Sequence, residues 1–267
     1  MKPLIHFAHA NGVPSQVYQK LFDLLKDEYE VIYVPLLGTD KRYPIDNHWE
    51  SLTNQVIDSI VRQAKGRPVI GLGHSLGSVL TFQAALKRPE LFSQVIMLDP
   101  PLIMGKDGFA LHVAKLLKLK AVDRMSPAAL SLRRRDHWDS REQAAELLRP
   151  KGFYKDFDAD CFQAYIDYAL TEDKVRGGFE LTIPKMDEVK VFRTNPSLWW
   201  LNKKKIHLPI HLVVAEQSPF LPRRFPQMVK KKFGVPFSIT AGGHMFPLEH
   251  PVEVVKLVKE LIQSQAN

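Results

Sequence analysis

Short, unbroken apolar runs recur along this chain, and between them apolar residues return every three or four positions. The runs lie at residues 4–8, 31–34, 69–72, 95–98, 210–215 and 237–239. Each is apolar on both faces instead of alternating, the pattern of strands in a parallel sheet covered from two sides. The intervening segments read as helices. Trp49, Leu52, Val56 and Ile60 form one helical stripe, and residues 79–86 are almost continuously apolar, so that helix is expected to be buried. Near the end of the chain Val252, Val255, Val258 and Ile262 repeat the stripe, with Lys256, Lys259 and Glu260 expected to face water. Strand and helix in alternation predict an α/β fold with a doubly wound, mostly parallel sheet of about six strands and helices on both faces.

The alternation stops at Pro100-Pro101 and resumes at Ile206. The intervening stretch of roughly 100 residues is too long for a loop and has apolar content of its own, which predicts an inserted, helix-rich cap. Helices are expected at 128–132, 141–148 and 159–170, and an irregular or extended course at 179–192. The predicted division is residues 1–101 for the first part of the core, 102–205 for the cap and 206–267 for the second part of the core.

Composition narrows the class. A hydrophobic fraction of 45% and a charged fraction of 25% suit a globular protein that buries a core without disulfides. The one cysteine, Cys161, is read as a small structural residue in a helix and fits a reducing compartment. No run of about 18 apolar residues occurs, so no transmembrane helix is expected. Residues 1–8 lack the make-up of a signal peptide. A cytoplasmic, soluble protein is the expectation. The net charge is +8, with basic runs at 133–135, 203–205 and 230–232. These runs are scattered and come with no nucleic-acid-binding signature, so they read as solvated faces, and no nucleic-acid partner is expected.

The chemistry concentrates in Gly73-His74-Ser75-Leu76-Gly77, which directly follows a strand and opens a helix. A nucleophile on a sharp strand-to-helix turn needs glycine two residues before and two after it, where any side chain would clash. The turn exposes the serine hydroxyl and aims the first amides of the helix at the same point.

With this motif the chain resembles the α/β-hydrolase superfamily, as a serine hydrolase with a helical cap. The resemblance covers nearly the whole chain and is weakest in the cap. Phe7-Ala8-His9-Ala10-Asn11-Gly12 is similar to the family's His-Gly turn, which implies Asn11, with Ala10 as the alternative, as one backbone donor of an oxyanion hole, and Leu76 as the other. Gly242-Gly243-His244-Met245-Phe246-Pro247 resembles the catalytic-histidine loop, which implies His244 as general base. His250, nearby, reads as a capping or surface residue.

The family's usual acid position falls at Ser218, within Ala215-Glu216-Gln217-Ser218-Pro219. Two carboxylates can replace the missing acid. Asp99 ends the strand after the nucleophile helix, and Glu216 lies two residues from the usual position. Asp99 is favoured.

The resemblance implies an ester or thioester hydrolase working through an acyl-enzyme on a small-molecule acyl substrate, with no metal and no organic cofactor. Carbon–carbon bond hydrolases, lactonases, amidases and cofactor-free peroxidases share the fold. Epoxide hydrolases and haloalkane dehalogenases are disfavoured, because they need aspartate where Ser75 stands. A non-catalytic receptor on the same scaffold is the rival from another class. Phe109, Trp138, Phe153, Tyr154, Phe162, Tyr165, Trp199 and Trp200 are candidate walls of the pocket.

Overall fold

The computed structural model describes residues 1–201 and 207–265. Six parallel strands form the main sheet: β1 (Leu4–Ala8), β2 (Glu30–Tyr33), β3 (Val69–His74), β4 (Phe92–Leu98), β8 (Ile210–Ala215) and β9 (Phe237–Thr240), in the order β2-β1-β3-β4-β8-β9. The topological switch lies at β1 and β3, where the order reverses. That arrangement opens a crevice at the carboxyl ends of the strands.

The central strands β1, β3, β4 and β8 are largely buried on both faces, which is why they read as apolar runs, whereas the edge strands β2 and β9 are partly exposed. Ile5, Phe7, Ile70, Leu72, Ile96 and Leu98 point to one side, where α1 (Gln19–Leu25) and α11 (Pro251–Gln265) pack. Leu4, Ala8, Val69, Val95, Met97 and Leu212 point to the other, against α2 (Glu50–Ala64), α3 (Leu76–Lys87) and α9 (Phe225–Phe233). Leu52, Val56 and Ile60 of α2 are buried as the stripe predicts, and so is most of α3. On α11 Val254, Val255, Val258, Leu261 and Ile262 are buried in the core, while Val252 is exposed. The apolar face therefore begins at Val254, one turn beyond Pro251.

Between β4 and β8 the chain makes one long excursion. It contains α4 (Gly105–Leu116), α5 (Ala128–Arg133), α6 (Arg141–Leu148), α7 (Ala159–Tyr168) and α8 (Lys185–Arg193). It also contains an antiparallel sheet of β5 (His137–Trp138), β6 (Leu170–Glu172) and β7 (Phe179–Leu181). One expectation needs correction: the extended course predicted for 179–192 is confined to β7 at Phe179–Leu181, and Lys185–Arg193 is the helix α8. That helix starts after Pro184, with Asp187 and Glu188 in its first turn and Lys190 and Arg193 in its last. This charge order complements the helix dipole, and proline suits the helix start.

Trp138, Tyr154, Cys161 and Tyr165 from the excursion join the same buried cluster as Phe7 and Tyr18, so the segment is packed onto the core on that side. Burial pushes the Cys161 thiol up to about 12, as befits an inert structural residue. The basic runs fare differently. Lys230, Lys231 and Lys232 end α9 and are exposed. Arg134 is largely withdrawn from solvent, against the expectation of a solvated run. The run at 203–205 and the boundary at Ile206 lie outside the described residues. Among the described residues no helix is long and apolar enough to cross a membrane.

Candidate active site

Ser75 sits between β3 and α3 with φ 52° and ψ −114°, a region that L-residues occupy only under constraint. The constraint is visible in its surroundings. A Cβ on Gly73 would lie 2.5 Å from the carbonyl of Gly77, and one on Gly77 would lie 2.0 Å from the carbonyl oxygen of Ala8. Hydrogen bonds then lock the turn: the Ser75 amide donates to Leu98 O at 2.9 Å, and the Gly77 amide to His9 O at 3.1 Å.

His244 follows β9 and precedes α10 (Phe246–Glu249). Its Nε2 lies 3.0 Å from Ser75 Oγ, and its Nδ1 lies 2.5 Å from Asp99 Oδ2. A carboxylate only accepts, so Nδ1 carries the proton and Nε2 is left free to accept from the serine hydroxyl. Asp99 is fully buried, and its other oxygen, Oδ1, accepts from the Ala215 amide at 3.2 Å. The three side chains come from the ends of three different strands, which only the folded sheet brings together. Glu216 is exposed, and its backbone amide pairs with Thr240 O. Ser218 is buried, but its hydroxyl accepts from the Phe220 amide, which makes it a turn residue.

Three further histidines are buried, and two of them, His74 and His9, adjoin this constellation. His74 Nε2 donates to the His244 carbonyl at 2.9 Å, so its Nδ1 must accept, at 2.7 Å, from the Tyr18 hydroxyl. His9 Nδ1 donates to Ala10 O, and its Nε2 accepts from the Leu37 amide. His6 Nε2 lies 2.9 Å from Ser59 Oγ. Burial lowers His74 to about 3, His9 to about 4 and His6 to about 3, so all three are neutral in the folded protein. The loop before His244 is held from the other side, where the Gly243 amide donates to Glu249 Oε2 at 2.7 Å. His250 is exposed at the junction of α10 and α11.

Above Ser75 lies a cavity of about 610 Å³, whose lining includes His244, Leu76, Ala10 and Asn11. Among the described residues neither the Leu76 amide nor the Asn11 amide has a hydrogen-bond partner, whereas the Ala10 amide lies 3.4 Å from the Tyr18 hydroxyl. The Asn11 side chain is tied to Glu188 O at 3.0 Å. The remaining walls are mostly apolar, with Ile103, Met125, Leu130 and Phe192 from the excursion facing Phe220 and Met245.

Of the eight aromatic residues expected to line the pocket, Phe153 and Tyr154 do so. Trp138, Phe162 and Tyr165 are core, Phe109 is exposed, and Trp199 and Trp200 pack on the α3 and α9 side. One polar cluster on the wall has no sequence signal. Glu188 accepts from Arg134 Nη1 and from Ser131 Oγ, both at 2.6 Å, and Arg134 Nη2 reaches the hydroxyls of Tyr154 and Tyr165. Among the described residues no group of three or more metal-ligating side chains occurs.

Comparison with known proteins bears on the fold and the family. The chain is 23% identical over 216 residues to the type I acyl-CoA thioesterase mpaH of Penicillium brevicompactum, an alignment covering 68% of this chain and 47% of that protein. The chain thus spans about half the length of the curated relatives it matches. It is 31% identical over 84 residues to the uncharacterized hydrolase YugF of Bacillus subtilis, covering 30% of each. Among solved structures it is similar to E-2-(acetamidomethylene)succinate hydrolase, with a TM-score of 0.75 at 19% identity, covering 98% of this chain and 92% of that one. It is also similar to the thioesterase domain from the curacin biosynthetic pathway, with a TM-score of 0.72 at 17% identity, covering 96% and 91%. At such identities the structural likeness speaks for the fold. The alpha/beta hydrolase family model matches residues 7–257, and the chain belongs to that family.

Proposed function

We propose that this hydrolase-fold protein cleaves carboxylic esters or thioesters through an acyl-enzyme, with Ser75 as nucleophile, His244 as general base and Asp99 as the acid. The observation that carries the reading is the hydrogen-bonded chain from Asp99 through His244 to Ser75 at a mostly apolar cavity.

In this reading His244 Nε2 takes the Ser75 proton as Oγ attacks the carbonyl carbon. The amides of Leu76 and Asn11 hold the oxyanion, each contributing a factor of about 10² to 10³. Asp99 stabilises the imidazolium that forms. Collapse expels the alcohol or thiol, which takes its proton from His244. A water then attacks the acyl carbon as it gives a proton to His244, and collapse breaks the acyl–Oγ bond, frees the carboxylic acid and returns the proton to Ser75. The segment 102–205 acts as the cap. Its Ile103, Met125 and Leu130 favour an apolar acyl chain over a charged one. The names of the acyl-CoA thioesterase and thioesterase-domain relatives support thioesters alongside esters. The reading needs no metal or organic cofactor, and the lone cysteine suits the cytoplasm. Ser218 at the family's usual acid position would suit a non-catalytic receptor, and an acid at Asp99 counts against that rival.

The test is a fluorophosphonate incubation followed by intact mass, with Ser75→Ala alongside, and then a panel of acyl esters and thioesters. A single adduct on the wild type that is absent from Ser75→Ala is expected. An unmodified wild type, or an adduct that survives the substitution, would end the proposal.

A further inference from the structure

The helix α4 has two apolar faces where one would suffice. Gly108, Leu111 and Ala114 are buried against the rest of the fold. On the opposite side Phe109, Val113 and Leu116 fall at i, i+4 and i+7, one continuous stripe. Phe109 is 61% exposed and Leu116 71%, and the chain continues through Leu117 at 60% and Leu119 at 46%. A surface helix of a monomer needs only its inward face to be apolar, so a second stripe calls for something to cover it.

Charge accompanies this surface. Residues 102–135 hold eight lysines and arginines against two aspartates, a net of +6 within a chain whose total is +8. Both aspartates are already engaged, Asp107 with Arg223 and Asp123 with Arg193. Lys106, Lys118, Arg124 and Arg133 are exposed and have no ion-pair partner among the described residues. Leu130 belongs to the same segment. It is 74% exposed and also lines the Ser75 cavity, so it stands at the mouth.

From this juxtaposition we propose that the α4 face and the turn after it form a docking surface for an anionic lipid bilayer. The exposed phenylalanine and leucines enter the headgroup boundary while the surrounding lysines and arginines meet the anionic headgroups. A second copy of the chain fits poorly, because an isologous contact would set one +6 segment against another. A folded protein seated here would also cover the mouth, whereas a bilayer places it beside a store of acyl chains. That purpose, though not the docking itself, rests on the acyl-hydrolase reading above.

The test is cosedimentation with vesicles of equal parts phosphatidylglycerol and phosphatidylcholine, and with phosphatidylcholine vesicles alone, at low salt. Wild type and Ser75→Ala should both bind the anionic vesicles and leave the neutral ones, so the outcome does not depend on catalysis. Leu116→Ser with Leu117→Ser, and separately Lys106→Glu with Lys118→Glu, should each lower the partition coefficient at least about tenfold. Melting curves confirm that the variants fold, and Phe109→Ser alone replaces any pair that does not. Equal binding to both vesicle types, no binding to either, or undiminished binding by the leucine pair overturns the proposal. So does a wild type that dimerises in sedimentation velocity and becomes monomeric in the leucine pair, or RNA binding that the lysine pair alone abolishes.

Discussion

Replacing Asp99 with asparagine should lower turnover by about 10⁴-fold, or roughly 5.5 kcal/mol of barrier, while leaving the fold intact. The magnitude follows from which way the new amide must face. Asp99 Oδ1 accepts from the Ala215 amide and Oδ2 meets His244 Nδ1. Asparagine has only one oxygen, and the Ala215 N–H claims it. The NH₂ group is thereby turned toward His244 and donates to Nδ1, which forces the ring proton onto Nε2. An Nε2–H donates to Ser75 Oγ instead of accepting from it, so the serine has no base. The assay is the pseudo-first-order rate of fluorophosphonate labelling, which needs no knowledge of the natural substrate, followed by kcat/KM on whichever ester turns over. Glu216→Gln is the control and should be indistinguishable from wild type, because Glu216 is exposed while His244 Nδ1 is bonded to Asp99. An Asp99→Asn protein that labels within about tenfold of wild type, or a crippled Glu216→Gln, would refute the reasoning about the acid.

Other expectations concern stability. His6, His9 and His74 are buried and neutral with lowered values of about 3, 4 and 3, whereas unfolded histidine titrates near 6.5, so the unfolded chain binds more protons across that interval. Their contribution is complete above about pH 6.5 and is lost as pH falls, by up to about 4 kcal/mol per pH unit near pH 5, and a guanidinium midpoint that stays flat from about pH 7.5 to 5.5 would contradict it. Arg134→Met strands the buried Glu188 carboxylate and should cost about 3–5 kcal/mol in denaturant melts, with much of the loss restored by adding Glu188→Gln. Gly77→Ala would set a Cβ 2.0 Å from Ala8 O and should yield no soluble folded protein, while Gly152→Ala, with nothing within 4 Å of its Cβ, should express and melt normally.

The sheet was legible because its four central strands are largely buried on both faces, so each carries an apolar run that needs no partner to be recognised. Ser75 and His244 were legible because glycines and strand ends surround them, and those are local features. Asp99 was harder to read, since the usual position holds Ser218 and the choice depends on a contact spanning 145 residues. The small antiparallel sheet escaped notice because its strands are two or three residues long, too short for any period to show. Lys185–Arg193 carries start and stop signals for a helix, but its polar make-up masks them. The Arg134–Glu188 pair joins residues 54 apart, and nothing in the basic run announces which arginine turns inward.

The excursion leaves the sheet after β4 and returns at β8, and these two strands are hydrogen-bonded neighbours. A chain that departs and re-enters through adjacent strands can lengthen, shorten or be exchanged there without cutting any other strand pairing. The groups proposed to react stand outside it, since Ser75, Asp99 and His244 all belong to the two flanking pieces. Its ties to α2 and the turn before it run through a few bonds, such as the His48 amide to Thr194 O and the Trp49 indole to Val191 O. Evolution and protein engineering meet the same opportunity here: an interchangeable module between two fixed ends. A library within residues 102–201 that spares the core residues Trp138, Cys161 and Tyr165 and the Glu188 tie to Asn11 should therefore diversify which molecules are admitted while inheriting the proposed reaction chemistry.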